Sequence, residues 1–302
     1  MKTCDGSRRG KIRFYCKALE VSCEAFYDYL ERKEKPWKYE QLALEMKKIH
    51  EEDECNDCYG RVRMYQALKL KEENREIQIK IPSEATVRKV MVQIEMIHHP
   101  KRKAEGITKA DKETRKSDDL IRRDFYADKP LKKAVTDITE IPAKDGKLYV
   151  SAIFDCFDLA VLGISMAENM RAELCVESLK NAYHTWSGCR GMTLHSDRGS
   201  QYTSEAYRKK IDLYGIRQSM NSAGGRCHDN ARCESIWART KEELFYSRNR
   251  KTEDYTIEEL KSIIWRYFIS YWNHRRICSA NGGLPPLVLR RRYNEQIQTG
   301  LI

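Results

Sequence analysis

The sequence predicts an α/β protein, with a mixed five-stranded sheet flanked by helices and a small all-helical region before it. Two observations predict this fold. Apolar residues recur every three to four positions through the first hundred residues, which is typical of amphipathic helices. Near Lys132 the spacing changes to the alternation typical of strands. The later elements follow the order βββ-α-β-α-β-α-α, which indicates a sheet with helices packed on its faces.

The N-terminal region, residues 1–99, is predicted to contain four helices. They cover residues 21–32, 39–52, 59–73 and 83–97. Ser22 and Ser83 are suited to cap two of them, because a serine hydroxyl accepts a hydrogen bond from a backbone N–H at a helix start. Short helices with basic faces suit a helix-turn-helix-like DNA-binding unit, although an ordinary small helical bundle has the same pattern.

A basic linker is predicted over residues 100–130. The stretch 100–116 holds seven Lys or Arg, three acidic residues and almost nothing apolar. Such a composition is typical of a solvated linker, and it could also follow a phosphate backbone. The linker separates the N-terminal helices from a core that we place at residues 131–302, with its C-terminal helices included.

The core is predicted to open with three strands joined by hairpins. The predicted strands cover residues 134–141, 147–157, 160–167, 191–196 and 216–220. Asp145-Gly146 is a hairpin turn signal between the first two. The predicted helices cover residues 171–186 and 204–214, and two long helices follow the last strand.

Composition narrows the function classes. Lys and Arg number 56 against 45 Asp and Glu, a net charge of +11, which fits a polyanionic partner such as nucleic acid and equally a soluble basic protein without one. No apolar run is long enough to span a membrane and no secretory signal opens the chain, so we expect a cytoplasmic protein. The 11 cysteines include a single CxxC, Cys55 and Cys58, without a second pair at zinc-finger spacing, so reduced thiols are expected.

Three carboxylates stand out by position. Asp137 lies in the middle of a predicted strand, Asp197 follows a strand end, and Glu234 lies on a helix with Lys241 seven residues later on the same face. A carboxylate buried in a strand is costly unless it is paired or binds a cation. Asp155, also in an apolar strand, is interpreted as a hydrogen-bonded structural residue, with a role beside a metal as the alternative.

The motifs around these carboxylates resemble a known family. VTDIT, HSDRGSQYTS, SMNSAGGRCHDNARCES and TKEE resemble the catalytic core of bacterial insertion-sequence transposases. The chain is most similar to the downstream-frame product of transposases encoded in two overlapping frames. DDLIRRDFYADKP and YWNHRRICSANGGLPPLVL resemble the family's lead-in and C-terminal signature, so the resemblance covers most of the chain. Ala134 stands where the family usually has Trp, and the loop with Gly224 and Gly225 is one residue longer.

The resemblance implies an enzyme of the retroviral-integrase-like DDE superfamily with an RNase H-like fold. Its catalytic residues would be Asp137, Asp197 and Glu234, holding two Mg²⁺ ions, or Mn²⁺ in their place. Two ions about 3.5–4 Å apart suit phosphodiester transfer, and hard cations prefer carboxylate oxygens. The implied reaction is cleavage at the 3′ end of the transposon followed by strand transfer into target DNA.

Four basic residues are candidates for DNA binding: Lys241, Arg239, Arg275 and Arg276. The resemblance gives Lys241 a contact near the cleaved DNA end, with a surface ion pair to Glu234 or Glu242 as the alternative. Arg275 and Arg276 are expected to meet phosphate, and a solvated helix end is the alternative.

The implied partners are double-stranded DNA, as transposon ends and target, and the upstream-frame product. In this family that product carries the main end-binding helices and a leucine zipper, whereas this chain has no sustained heptad repeat. We therefore expect a frameshift fusion or a complex of both products, acting as an oligomer on DNA at the nucleoid. Two other functions fit the same sequence, a catalytically impaired DNA-binding protein and a plain RNase H-like nuclease.

Overall fold

The computed structural model describes residues 12–34, 36–98, 118–122, 124–221 and 231–300. Most of the predicted basic linker and the loop with Gly224 and Gly225 lie outside the described residues.

The N-terminal region is helical, as predicted. Its helices are α1 Ile12–Ala18, α2 Cys23–Glu34, α3 Glu40–Glu52, α4 Arg61–Glu73 and α5 Glu84–Gln93, with a 3₁₀ turn at Glu54–Cys58. Ser22 and Ser83 cap α2 and α5 by accepting hydrogen bonds from the N–H groups of Ala25 and Thr86. Helix α1 was not predicted. Helix α5 ends four residues before its predicted end, because Glu95 adopts a left-handed conformation with φ 58°.

The helices α3, α4 and α5 share a core that also includes a residue from the C-terminal part of the chain. Met46, Leu68 and Val87 are buried in it together with Ile277. The Tyr59 hydroxyl accepts a hydrogen bond of 2.9 Å from the Ile277 N–H. The N-terminal helices are therefore packed onto the C-terminal part of the chain.

The sheet confirms the predicted mixed five-stranded arrangement. Its strands are β1 Lys133–Ala143, β2 Gly146–Asp155, β3 Val161–Ala167, β4 Thr193–Ser196 and β5 Arg217–Met220, in the order β3-β2-β1-β4-β5. Strands β1 to β3 are antiparallel, whereas β4 and β5 continue the sheet parallel to β1. The first hairpin turns at Lys144 and Asp145, one residue before the predicted turn.

Helices cover both faces of the sheet. They are α6 Ala172–Thr185, α7 Ser200–Thr203, α8 Glu205–Tyr214, α9 Ala231–Leu244, α10 Ile257–Trp265 and α11 Pro286–Gln298. Helix α10 continues as a π-helical segment, Arg266–Trp272. Ala134 and Leu194 belong to the core beneath α6 and α8, whereas Val135 and Phe154 belong to the core beneath α9 and α10. No helix among the described residues is both long and apolar enough to cross a membrane.

Buried charges fasten helix α11 to the sheet. Arg290 donates hydrogen bonds to Asp155 and Asp158, and both carboxylates are fully buried. Asp155 also accepts bonds from the backbone N–H groups of Leu131 and Phe157. This confirms the structural interpretation of Asp155.

Cys55 and Cys58 are buried at the junction between the N-terminal turn and the C-terminal helices. Burial raises the pKa of both thiols, so they remain protonated at neutral pH. Cys55 packs in the core beneath α9 and α10. The two cysteines therefore act as core side chains.

Candidate active site

One predicted catalytic aspartate lies on β1, and the other directly follows the neighbouring strand β4. Strand β4 pairs with β1 in parallel, and the last pair is Val135 opposite His195. Asp137 and Asp197 each lie two residues beyond this pair. Because alternate residues of a strand share a face, Asp137 points to the same side as Val135, which packs in the core beneath α9. Asp197 is held by the Gly199 N–H, which donates a 2.9 Å hydrogen bond to its Oδ1.

Helix α9 brings Glu234 to that side of the sheet. Cys233, Ile236 and Trp237 pack into the core and fix the helix orientation, while Glu234 is exposed in the first turn. Lys241, two turns later, donates a 3.1 Å hydrogen bond to the Glu140 carbonyl on β1. The helix therefore runs along β1, and its Glu234 end lies towards Asp137.

The charges of the other two carboxylates affect the pKa of Asp137. Burial and the nearby charges of Asp197 and Glu234 together raise the pKa of Asp137 to about 8. Burial also raises the pKa of Asp197, although the Gly199 N–H and His195 lower it. The negative charges near Asp137 therefore disfavour ionisation of its carboxyl group.

The donor set suits a hard divalent cation. Carboxylate oxygens are the ligands that Mg²⁺ and Mn²⁺ prefer, and an added cation would relieve the repulsion that raises the Asp137 pKa. Within the described ranges, no three His, Cys, Asp or Glu side chains converge closely enough to hold one ion. Asp137 on β1, Asp197 just after β4 and Glu234 on α9 are therefore not close enough in this structure to form a three-ligand group.

Comparisons with known proteins match the sequence of this chain to a family. Residues 127–225 match the model of the integrase core domain. The probable transposase of IS1353 from Shigella flexneri is 34% identical over 266 residues, covering 88% of this chain and 49% of that protein. The putative transposase InsK of IS150 from Escherichia coli K12 is 31% identical over 276 residues, covering 91% of this chain and 92% of InsK. The chain belongs to the insertion-sequence transposases.

The transposase is a DDE-type polynucleotidyl transferase of the integrase superfamily. Proteins of this kind act on DNA and generally use divalent metal ions. The chain spans about half the length of the IS1353 transposase. Among solved structures, the HTLV-2 integrase catalytic core domain in complex with magnesium is similar with a TM-score of 0.40 and 14% identity, over 55% of this chain and 99% of that one.

The candidate DNA-binding residues of the transposase fall into two groups. Arg239 and Arg275 are exposed. Lys241 is half-buried, burial lowers the pKa of its ammonium group, and its hydrogen bond goes to the Glu140 carbonyl rather than to Glu234 or Glu242. These three side chains stay candidates for contacts with phosphate.

Arg276 requires a correction. Its side chain is 2% exposed and donates hydrogen bonds of 2.8 and 2.6 Å to the Glu243 carboxylate. The guanidinium also lies over the Trp272 ring. The prediction that Arg276 meets phosphate is wrong for this fold, because the charge is buried and already paired.

The sequence analysis assigned no role in the site to two polar residues beside it. His195 is buried and bonds to Ser219 and Asn221 through its two ring nitrogens, each at 2.9 Å. Arg232 donates a hydrogen bond to the Phe125 carbonyl. Each lies two residues before a predicted catalytic carboxylate, and that closeness in sequence was the available signal.

Asp137 gives the transposase a pH-dependent stability that bound metal should change. Its pKa is about 8 in the fold and about 4 in an unfolded chain. The group therefore stabilises the metal-free fold below pH ~4, and this contribution is lost as the pH rises towards 8. In chelator, we expect Asp137→Asn to melt at least about 2 °C above the native chain at pH 8, with little difference at pH 4.

Calorimetry with and without Mg²⁺ checks this expectation. Mg²⁺ should raise the melting temperature of the native chain at pH 8 and leave that of Asp137→Asn nearly unchanged. The exposed Asp212→Asn variant on α8 is the matched control. If the melting temperatures of the native chain and Asp137→Asn changed in parallel with pH, burial and neighbouring charges would not disfavour the ionised Asp137 carboxylate.

Proposed function

We propose that this transposase cleaves the 3′ ends of its insertion sequence and joins them to target DNA, with Asp137, Asp197 and Glu234 as its catalytic carboxylates. One observation carries the proposal. Asp137 on β1 lies near the charges of Asp197, which follows β4, and of Glu234 on α9, and burial together with these charges raises the Asp137 pKa to about 8. Such a set is stable in its ionised form when it holds cations.

Two Mg²⁺ ions, or Mn²⁺ in their place, would be held by these three residues, with Asp137 between Asp197 and Glu234. When bound, the ions activate the attacking oxygen and stabilise the leaving oxygen of a phosphodiester. The chain itself holds the ligands in place. Asp137 is fixed within β1, and the Gly199 N–H orients Asp197.

The joining step forms one phosphodiester bond and breaks another. In cleavage, a water oxygen bonds to phosphorus and the bond from phosphorus to the 3′ oxygen breaks, which leaves a 3′-OH. In strand transfer, that 3′-OH bonds to a target phosphorus while one target phosphodiester bond breaks. No nucleotide cofactor is needed. Lys241, Arg239 and Arg275 would position the phosphates.

The DNA partners in this proposal are the transposon ends and the target duplex. The N-terminal helices, residues 1–99, would contribute a helix-turn-helix-like DNA contact, and the linker 100–130 would follow the phosphate backbone. The core, residues 131–302, would carry the chemistry. The upstream-frame product, as a partner or fused to this chain, would supply the main end recognition and assemble the oligomer on DNA.

A strand-transfer reversal assay tests the chemistry without requiring end recognition. The substrate is a branched oligonucleotide, incubated with Mg²⁺, Mn²⁺ or chelator. We expect joining with either metal and none in chelator. Hydrolysis without joining would favour a plain nuclease. Absence of both reactions, also after the upstream-frame product is added, would favour a DNA-binding protein with an impaired centre.

A further inference from the structure

The segment that precedes β1 lies along the edge of the sheet beside β5. We name residues 118–122 and 124–128 the lead-in segment. The Asp118 carbonyl accepts a 3.2 Å hydrogen bond from the Met220 N–H, and the Leu120 N–H donates a 2.9 Å bond to the Ser219 hydroxyl. Ile121 is buried. The lead-in segment is thus attached to the strand from which the chain leaves towards α9.

The same segment also contacts the start of α9. The Phe125 carbonyl accepts a hydrogen bond from the Arg232 guanidinium, and the Phe125 ring packs against the core beneath α9. Lys133 of β1 donates hydrogen bonds to the backbone and side chain of Asp124, at 3.0 and 2.7 Å. The lead-in segment therefore connects β5, β1 and the helix that carries Glu234.

His195 stands between these attachments. Its Nδ1 and Nε2 bond to Ser219 and Asn221, and the Phe125 ring lies edge-on to it at 6.2 Å between centroids. Arg198 donates a further hydrogen bond to the Asn221 carbonyl. Asn221 is therefore held by His195 and Arg198, which lie on either side of Asp197 in the sequence. Arg232 is held by Phe125 of the lead-in segment.

We propose that the lead-in segment is a positioning element of the acidic site, and that Arg232 is the residue through which it sets the place of Glu234. This inference rests on the proposed function. Asp137 is fixed by its place in β1, and Asp197 by the hydrogen bond from the Gly199 N–H, but Glu234 is exposed and depends on where α9 begins. The Arg232 bond fixes that beginning two residues before Glu234. Groups that orient a ligand in this way often control metal affinity.

Arg232→Ala, Arg232→Lys and the control Arg208→Ala on α8 test the proposal. Mn²⁺ binding is measured by electron paramagnetic resonance on the full chain, with Asp197→Asn to define binding at the acidic site. We expect Arg232→Ala to weaken that binding on the order of tenfold. The lysine variant, which keeps a donor, should recover part of the affinity, and Arg208→Ala should match the native chain. Melting temperatures and DNA-binding anisotropy should stay close to native for all variants.

The measurements separate this proposal from the proposed function. Native Mn²⁺ affinity in Arg232→Ala would overturn the positioning role. A loss of Mn²⁺ affinity that is explained entirely by a smaller folded fraction would also overturn it. The same holds if Arg232→Lys recovers none of the affinity. Native protein that binds Mn²⁺ through Asp197 but joins no DNA would refute the proposed function, and the Arg232 comparison would still decide the positioning role. Absence of Asp197-dependent Mn²⁺ binding in the native chain would overturn both.

Discussion

Asp197→Asn is expected to lower metal-dependent joining of a branched oligonucleotide by about three orders of magnitude, because a metal supplies several kcal/mol of transition-state stabilisation. The amide keeps the size of the side chain and can still accept the Gly199 hydrogen bond. It loses the negative charge that a hard cation requires. The measurement is the joining rate in Mg²⁺ at saturating enzyme, for native and variant protein.

The control for this prediction is Asp212→Asn, the same chemical change on the exposed surface of α8. It should join DNA at the native rate. The Asp197 variant should fold as well as the native chain, since burial opposes the charge of Asp197 and raises its pKa. A joining rate within a few-fold of native in Asp197→Asn would place the catalytic centre elsewhere.

The strands and helix caps were predictable because their signals are local. Short runs rich in apolar and β-branched residues mark β1, β2 and β3, and the hydroxyls of Ser22 and Ser83 satisfy N–H groups only three residues away. The aspartates of the candidate site were proposed for a similar reason. Asp137 within a strand and Asp197 after a strand end are positions in secondary structure, and the parallel pairing of the two strands ends two residues before both.

The role of Arg276 was not predictable, because its partner is distant in sequence. The sequence of a polar helix end does not distinguish an exposed arginine from a buried one. Only the folded chain places Glu243, 33 residues earlier, against Arg276. The same holds for Arg232 and the Phe125 carbonyl, which are 107 residues apart. The π-helical turn at Arg266–Trp272 likewise depends on the tertiary packing of its aromatic side chains.

Glu243→Gln is expected to destabilise the fold by about 3–5 kcal/mol, because it leaves Arg276 buried without its ion pair. The Glu243 side chain is 1% exposed and accepts hydrogen bonds from Arg276, Arg63 and Tyr267. Burial alone would raise the pKa of Glu243, but the charges of Arg276 and Arg63 lower it to about 2. The residue thus joins α9 to α4 and to the C-terminal segment. Urea unfolding at pH 7 measures the loss.

The pH dependence and two further variants distinguish a buried ion pair from simple packing at Glu243. Since the folded pKa is depressed, its stabilisation is present above about pH 4.3 and is lost as the pH falls towards 2. The difference between native and Glu243→Gln should therefore shrink in acid. Glu258→Gln, at a side chain 79% exposed, should change stability by less than about 0.5 kcal/mol. The double variant Glu243→Leu with Arg276→Met should recover much of the loss, because paired apolar side chains can replace a buried ion pair. If the double variant is as unstable as the sum of the single changes, packing rather than the unpaired charge controls the loss.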